Sequence, residues 1–156
     1  MTLRADNRGG CLTNPIMQNK TPHVIVCDDD VELNSFIRSH FKLDGYETHQ
    51  ALSARECLDK LAKLGDIVDV ITVDGKIASD RSLMLILNAK STNKNVKIFV
   101  LADRGLSEDK TRIMDYGADD FAVKPLSMES LINKVNMKLL EEAAKSSAAT
   151  ASSYSA

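Results

Sequence analysis

No apolar stretch in this sequence approaches the roughly 20 residues of a membrane-spanning helix. The amino terminus, MTLRADNRGGCLTNPIMQNK, lacks the continuous apolar segment of a secretory signal. Cysteine is scarce: Cys11, Cys27 and Cys57 are odd in number, widely spaced and without a C-x-x-C pair. That argues against a disulfide framework or a zinc site and for a reducing, cytoplasmic setting. There is no block of like charge, and 20 basic against 22 acidic residues leave a net −2. Such a balance argues against a nucleic-acid or anionic-membrane surface. His23, His40 and His49 are scattered and fit neither a metal-ligand spacing nor a phosphotransfer helix. No internal repeat is present.

What is present is enough for one domain with tails: 156 residues, 44% hydrophobic and 27% charged. Residues 1–21 are polar and read as a disordered leader, within which Met17 is an alternative start. From residue 143 the chain becomes AAKSSAATASSYSA, an Ala/Ser-rich flexible tail with few side chains able to build a core, into which Ala propensity extends the last helix briefly before it frays. The folded unit is therefore expected over residues 22–142. Within it, short apolar runs at 23–27, 68–73 and 96–101 and further strands at 46–50 and 119–123 alternate with helical patterns. The helices fall at about 31–43, 54–64, 81–90, 107–116 and 127–142. Ser53, Ser107 and Ser127 stand where helix caps belong, and Gly45, Gly65 and Gly117 where helices stop. The polar run YETHQ suits an edge strand, and Leu131, Val135 and Leu139 give the last helix a docking face, flanked by Ile132 and Met137. Five such units imply an α/β fold: a doubly wound five-stranded parallel sheet with five flanking helices.

Three runs end on charges that packing does not require. HVIVCDDD ends on Asp28, Asp29 and Asp30, VDVITVD on Asp74 and DDFAVK on Lys124. As neighbouring parallel strands they meet at one edge, where open α/β sheets hold ligands. Carboxylates clustered with one ammonium make a site for a divalent metal and a phosphoryl group. About three negative charges against one Lys124 would also raise carboxylate pKa values without a cation. Mg²⁺ suits such ligands because it accepts a few carboxylates and carbonyls and keeps several waters. Asp30 reads as a helix cap, Asp119 and Asp120 as turn residues, Cys27 as a small buried strand residue, and Met84, Met114 and Met137 as core fillers.

VIVCDDDVEL, ITVDGKI, IFVLADRG and GADDFAVKPLS together resemble the receiver domain of two-component response regulators, from about residue 22 to 142. The resemblance implies a flavodoxin-like strand order, 2-1-3-4-5. It implies that Asp74 is the phosphoacceptor, and that Asp28, Asp29, Asp74 and the backbone carbonyl of Lys76 serve Mg²⁺. Lys124 would contact the phosphoryl group, and Pro125 would follow a cis peptide bond. The phosphoryl donor would be a histidine kinase or phosphotransfer protein. Output would be contact with a downstream protein through residues 107–142, without nucleic acid or membrane.

The chain departs from the family pattern at several positions. Ala102 stands where Ser or Thr normally bonds the phosphoryl group, and the aromatic switch position, Phe121, lacks a hydroxyl. An inward Phe121 is expected with or without phosphate. Ala78 and Ser82 replace the usual Pro and Gly of the loop after the acceptor, and Gly75 adds freedom there. Lys76 and Arg104 occupy the two variable positions flanking the site; they could shield an acyl phosphate, compete with Mg²⁺, or point into solvent. The resulting expectation is a stand-alone response regulator, not an enzyme beyond its own phosphorylation and dephosphorylation. The alternative is a pseudo-receiver that binds partners without phosphorylation. A phosphatase with an aspartate nucleophile is a third reading; it fits less well because that chemistry needs D-x-D rather than consecutive aspartates.

Overall fold

The computed structural model describes residues 20–75, 88–102, 111, 113–125 and 127–155, with side chains to residue 145. The leader expected at 1–21 lies outside the described residues except for its last two. Strand β1 (His23–Cys27) leads into helix α1 (Val31–Leu43), β2 (Glu47–Ala51), α2 (Ala54–Leu64) and β3 (Val68–Asp74). Helix α3 is described over 88–92, followed by β4 (Lys97–Ala102). Helix α4 is described at 111 and 113–115, and β5 (Asp120–Val123) and α5 (Met128–Ser155) complete the chain. The strands form one parallel sheet in the order β2-β1-β3-β4-β5. This is the flavodoxin-like arrangement the resemblance implies.

Period-2 alternation divides the core into two layers. Val24 and Val26 of β1, Val70 of β3 and Phe99 and Leu101 of β4 face Ile37 and Phe41 of α1 and Leu131, Val135 and Leu139 of α5. On the other face, Ile25, Cys27, Ile71, Val73, Ile98 and Val100 meet Cys57 and Leu61 of α2, with Ala89 and Ile113. Central strands covered on both faces carry β-branched and other apolar residues at nearly every position. β2 reads ETHQA, is largely unburied and lies at the sheet edge, as its polarity requires.

Local signals place the helix ends. Asp30 caps α1, its carboxylate accepting from the N–H groups of Glu32 (3.1 Å) and Leu33 (3.2 Å). Ser53 accepts from Glu56 N–H at α2 (3.1 Å), and Ser127 from Ser130 N–H at α5 (3.3 Å). Gly45 turns the chain out of α1 with φ of 93°, a value side chains rarely tolerate. Ser107 lies outside the described residues.

Two expectations need correction. Helix α5 does not end at residue 142 but runs to Ser155. Residues 143–155 contain five alanines and neither Gly nor Pro, so propensity carries the helix on after its docking face ends. Met114 and Met137 are not core fillers: they are 36% and 59% exposed. Met137 lies two residues from both Val135 and Leu139, which turns it well away from their face. Among the described residues, no helix is long and apolar enough to cross a membrane.

Candidate phosphoryl and metal site

Register brings the charged strand ends together. Cys27 is level with Val73, Asp74 with Leu101 and Ala102 with Val123. Asp28, Asp74 and Lys124, at or just beyond these positions, therefore share the carboxyl edge of the sheet. Lys124 N–H donates to Ala102 C=O (2.8 Å), which holds it there, and the Lys124–Pro125 peptide bond is cis, as the resemblance implies.

The side chains converge. Carboxylate oxygens of Asp28, Asp29 and Asp74 lie within 4.8 Å of one another. Asp28 and Asp74 are buried and Asp29 is exposed, so the cluster opens to solvent through Asp29. Lys124 Nζ donates to Asp74 Oδ1 at 2.6 Å and stands 3.7 Å from Asp28 Oδ2. Asp28 Oδ1 accepts from Asp30 N–H (2.9 Å), whereas its buried Oδ2 has no hydrogen-bond partner. Burial pushes the Asp28 carboxyl above the usual carboxylate range; the Asp30 N–H and Lys124 oppose this, and the charges of Asp74 and Asp29 add to it. The crowding that the sequence implies does raise it, but loss of solvent is the larger effect. A lone carboxylate oxygen facing two other carboxylates is a good fit for a divalent cation with oxygen preference.

Lys76 and Arg104 lie outside the described residues, as do Ala78 and Ser82. Ala102 is fully buried and Phe121 is 7% exposed, both in the core layer on the α2 side. The Phe121 ring is thus inward in this structure. Gly75 does not act through freedom. It has no left-handed backbone, and its N–H donates to Leu101 C=O at 2.6 Å. A Cβ on it would sit 2.9 Å from Ala102 Cα and 3.3 Å from Ala102 Cβ. Two strand ends meet so closely here that only hydrogen fits.

Several relationships were not visible in the sequence. His23 Nδ1, at the opposite end of β1, and His49 Nε2, in the middle of β2, lie 3.0 Å apart with nearly parallel rings, so these two are not scattered. Cys27 and Cys57 are free buried thiols on β1 and α2; Cys27 Sγ–H donates to Ser53 C=O (3.4 Å), and the neighbouring Cys57 thiol, followed by burial, pushes the Cys27 thiol far up. Asn34, fully buried on α1, reaches main-chain carbonyls of three separate residues around Asp28. Asp119, expected only to serve a turn, accepts from Ile98 N–H (2.8 Å) and pairs with Lys90 (2.7 Å). A groove runs along α5 past Asp120, Ser130, Lys134 and Met137, and none of Asp28, Asp29 and Asp74 lines it.

Comparison with known proteins agrees with this fold. The chain is 28% identical over 116 residues to the response regulator MprA of Mycolicibacterium vanbaalenii, an alignment covering 74% of this chain and 49% of that protein. It spans about half the length of the curated relatives it matches. Among solved structures, the receiver domain of a Francisella response regulator superposes with a TM-score of 0.68 at 29% identity, covering 78% of this chain and 99% of that one. A Burkholderia pseudomallei response regulator, solved with a phosphorylated aspartic acid, a calcium ion and citrate, gives a TM-score of 0.66 at 26% identity, covering 80% and 72%. Residues 24–136 match the response regulator receiver domain, and the chain belongs to that family.

Proposed function

We propose that Asp74 is a phosphoacceptor for a histidine kinase or phosphotransfer protein and that the chain signals by protein–protein contact. The observation that carries this reading is the 2.6 Å bond from Lys124 to Asp74, made beside two further carboxylates at the sheet edge. A carboxylate oxygen of Asp74 attacks phosphorus, the P–N bond of the donor's phosphohistidine breaks, and the imidazole leaves. Lys124 neutralises charge on the transferred oxygens, the positioning and electrostatic work that phosphoryl transfer needs. Asp28, Asp29 and Asp74, with the Lys76 carbonyl, would hold Mg²⁺. Bound there, the ion supplies positive charge to the phosphoryl oxygens. That the Burkholderia relative was solved with a phosphorylated aspartic acid and a calcium ion supports this reading.

The chain acts on itself alone, through its own phosphorylation and dephosphorylation, and turns over no separate substrate. Its downstream partner binds the surface formed by residues 107–142, where Val123 and Met137 are half-exposed. Two free buried thiols suit a cytoplasmic setting.

A second reading is a pseudo-receiver that signals without phosphate. Ala102 and an already inward Phe121 favour it, since the usual hydroxyl and ring movement are missing. Incubation with acetyl phosphate and Mg²⁺, followed by intact mass measurement, separates the two. The proposal expects one phosphoryl adduct, absent in Asp74→Asn and without Mg²⁺. No adduct, or one that Asp74→Asn retains, favours the pseudo-receiver.

A further inference from the structure

Asn34 lies six residues after Asp28, in the first turns of α1, and is fully buried. Its amide nitrogen is 3.0 Å from Val26 C=O, 3.1 Å from Asp28 C=O and 3.1 Å from Ala51 C=O. Its Oδ1 accepts from Arg38 Nε–H at 2.7 Å, and Arg38 also donates to Gln50 Oε1 at 2.9 Å. A guanidinium can only donate, so Arg38 fixes which end of the amide faces the strands. Two N–H groups shared among three carbonyls then bind the end of β1 to the end of β2. Asp28 is gripped at every polar main-chain atom: its N–H donates to Ala51 C=O (3.0 Å) and its C=O accepts from Asn34. Its Oδ1 is in turn held by Asp30 N–H, which belongs to the cap of the helix that carries Asn34.

We propose that Asn34, oriented by Arg38, is a positioning residue that holds Asp28 and the Asp28–Asp30 turn in the geometry that receives Mg²⁺. This rests on the metal role proposed for Asp28. The carboxylate at risk is the one whose Oδ2 has no hydrogen bond of its own. Its aim therefore depends on main-chain anchoring more than that of Asp74, which Lys124 grips directly. Without the amide, Asp28 C=O loses its donor and the turn gains freedom, which the ion must remove again on binding. Groups that hold metal ligands in place commonly change affinity by about 10–100-fold.

The test is NMR titration of the ¹⁵N-labelled chain with Mg²⁺, together with amide hydrogen exchange of Asp28 and Asp30 in the metal-free state. Asn34→Ala should weaken Mg²⁺ by about tenfold or more and speed exchange at both amides. Arg38→Met, which leaves the amide in place but unoriented, should act in the same direction to a smaller extent. Val135→Ala, a core cavity on α5 remote from the turn, serves as the control for lost stability. Unchanged Mg²⁺ affinity in folded Asn34→Ala, or equal weakening in Val135→Ala, overturns the proposal. If Asn34→Ala does not fold, Arg38→Met decides: affinity and exchange equal to the unsubstituted chain overturn it. An unsubstituted chain that binds no Mg²⁺ overturns the metal reading itself, and this inference with it.

Discussion

Gly75 and Ala102 are in mutual contact across the ends of β3 and β4, with the place a Gly75 side chain would take lying 2.9 Å from Ala102 Cα. The obstacle is main chain, which cannot rotate aside. Gly75→Ala should destabilise the protein by about 1–3 kcal/mol, the usual cost of forcing atoms into a filled space. Urea unfolding measures this; a change near zero would mean that the two strand ends separate freely.

Ala102 belongs to the same core layer as the inward ring of Phe121. With no hydroxyl at residue 102 to meet a phosphoryl group, nothing calls for a change of ring position on phosphorylation. A ¹⁹F-labelled phenylalanine at 121 should keep its chemical shift environment when acetyl phosphate and Mg²⁺ are added. A new buried or exposed resonance for that ring would show that the switch operates by another route.

Asp28 gives a dependence on pH. Its carboxyl binds a proton more tightly folded than unfolded, chiefly because it is buried. Its contribution to metal-free stability is therefore fully present below the ordinary carboxylate range, about pH 4. It is lost as pH rises through the raised folded value. Asp28→Asn removes one repulsive charge at neutral pH and should stabilise the metal-free chain by at least about 1 kcal/mol at pH 7. The gain should shrink on acidification and reverse in Mg²⁺. Unfolding curves at several pH values check the sign; a variant less stable at pH 7 without metal contradicts it.

Thr72, on the same face of β3 as Asp74, is buried, and its Oγ1 has no hydrogen-bond partner. Replacing an unpaired buried hydroxyl by a methyl of similar shape is neutral or favourable. Thr72→Val should therefore leave stability unchanged or raise it by roughly 1 kcal/mol. A clear loss in thermal unfolding would reveal a partner for the hydroxyl in solution.

The sheet and the acidic pocket were legible in the sequence because both depend on single residues at the ends of apolar runs. Val24–Val26 and Val70–Val73 could only be buried strands, and Asp28, Asp74 and Lys124 had no packing reason to follow them. Asn34 was not legible, since its partners are main-chain carbonyls that carry no residue signature. His23 and His49 meet only because β2 lies beside β1, which strand order decides. In the sequence Gly75 reads as freedom, because a sequence shows a missing side chain but not the neighbour that excludes it. The end of α5 was misplaced for a related reason: amphipathic periodicity stops near Leu139, while Ala-rich chain remains helical without it.

The most direct measurement of the phosphoacceptor claim is chemical mapping of the modified residue. An aspartyl phosphate is reduced by borohydride to homoserine, which peptide mass spectrometry locates in the sequence. After acetyl phosphate and Mg²⁺, homoserine should occur at Asp74 alone, and nowhere in Asp74→Asn or in samples treated without Mg²⁺. Homoserine at Asp28 or Asp29, or none at all, would contradict the account.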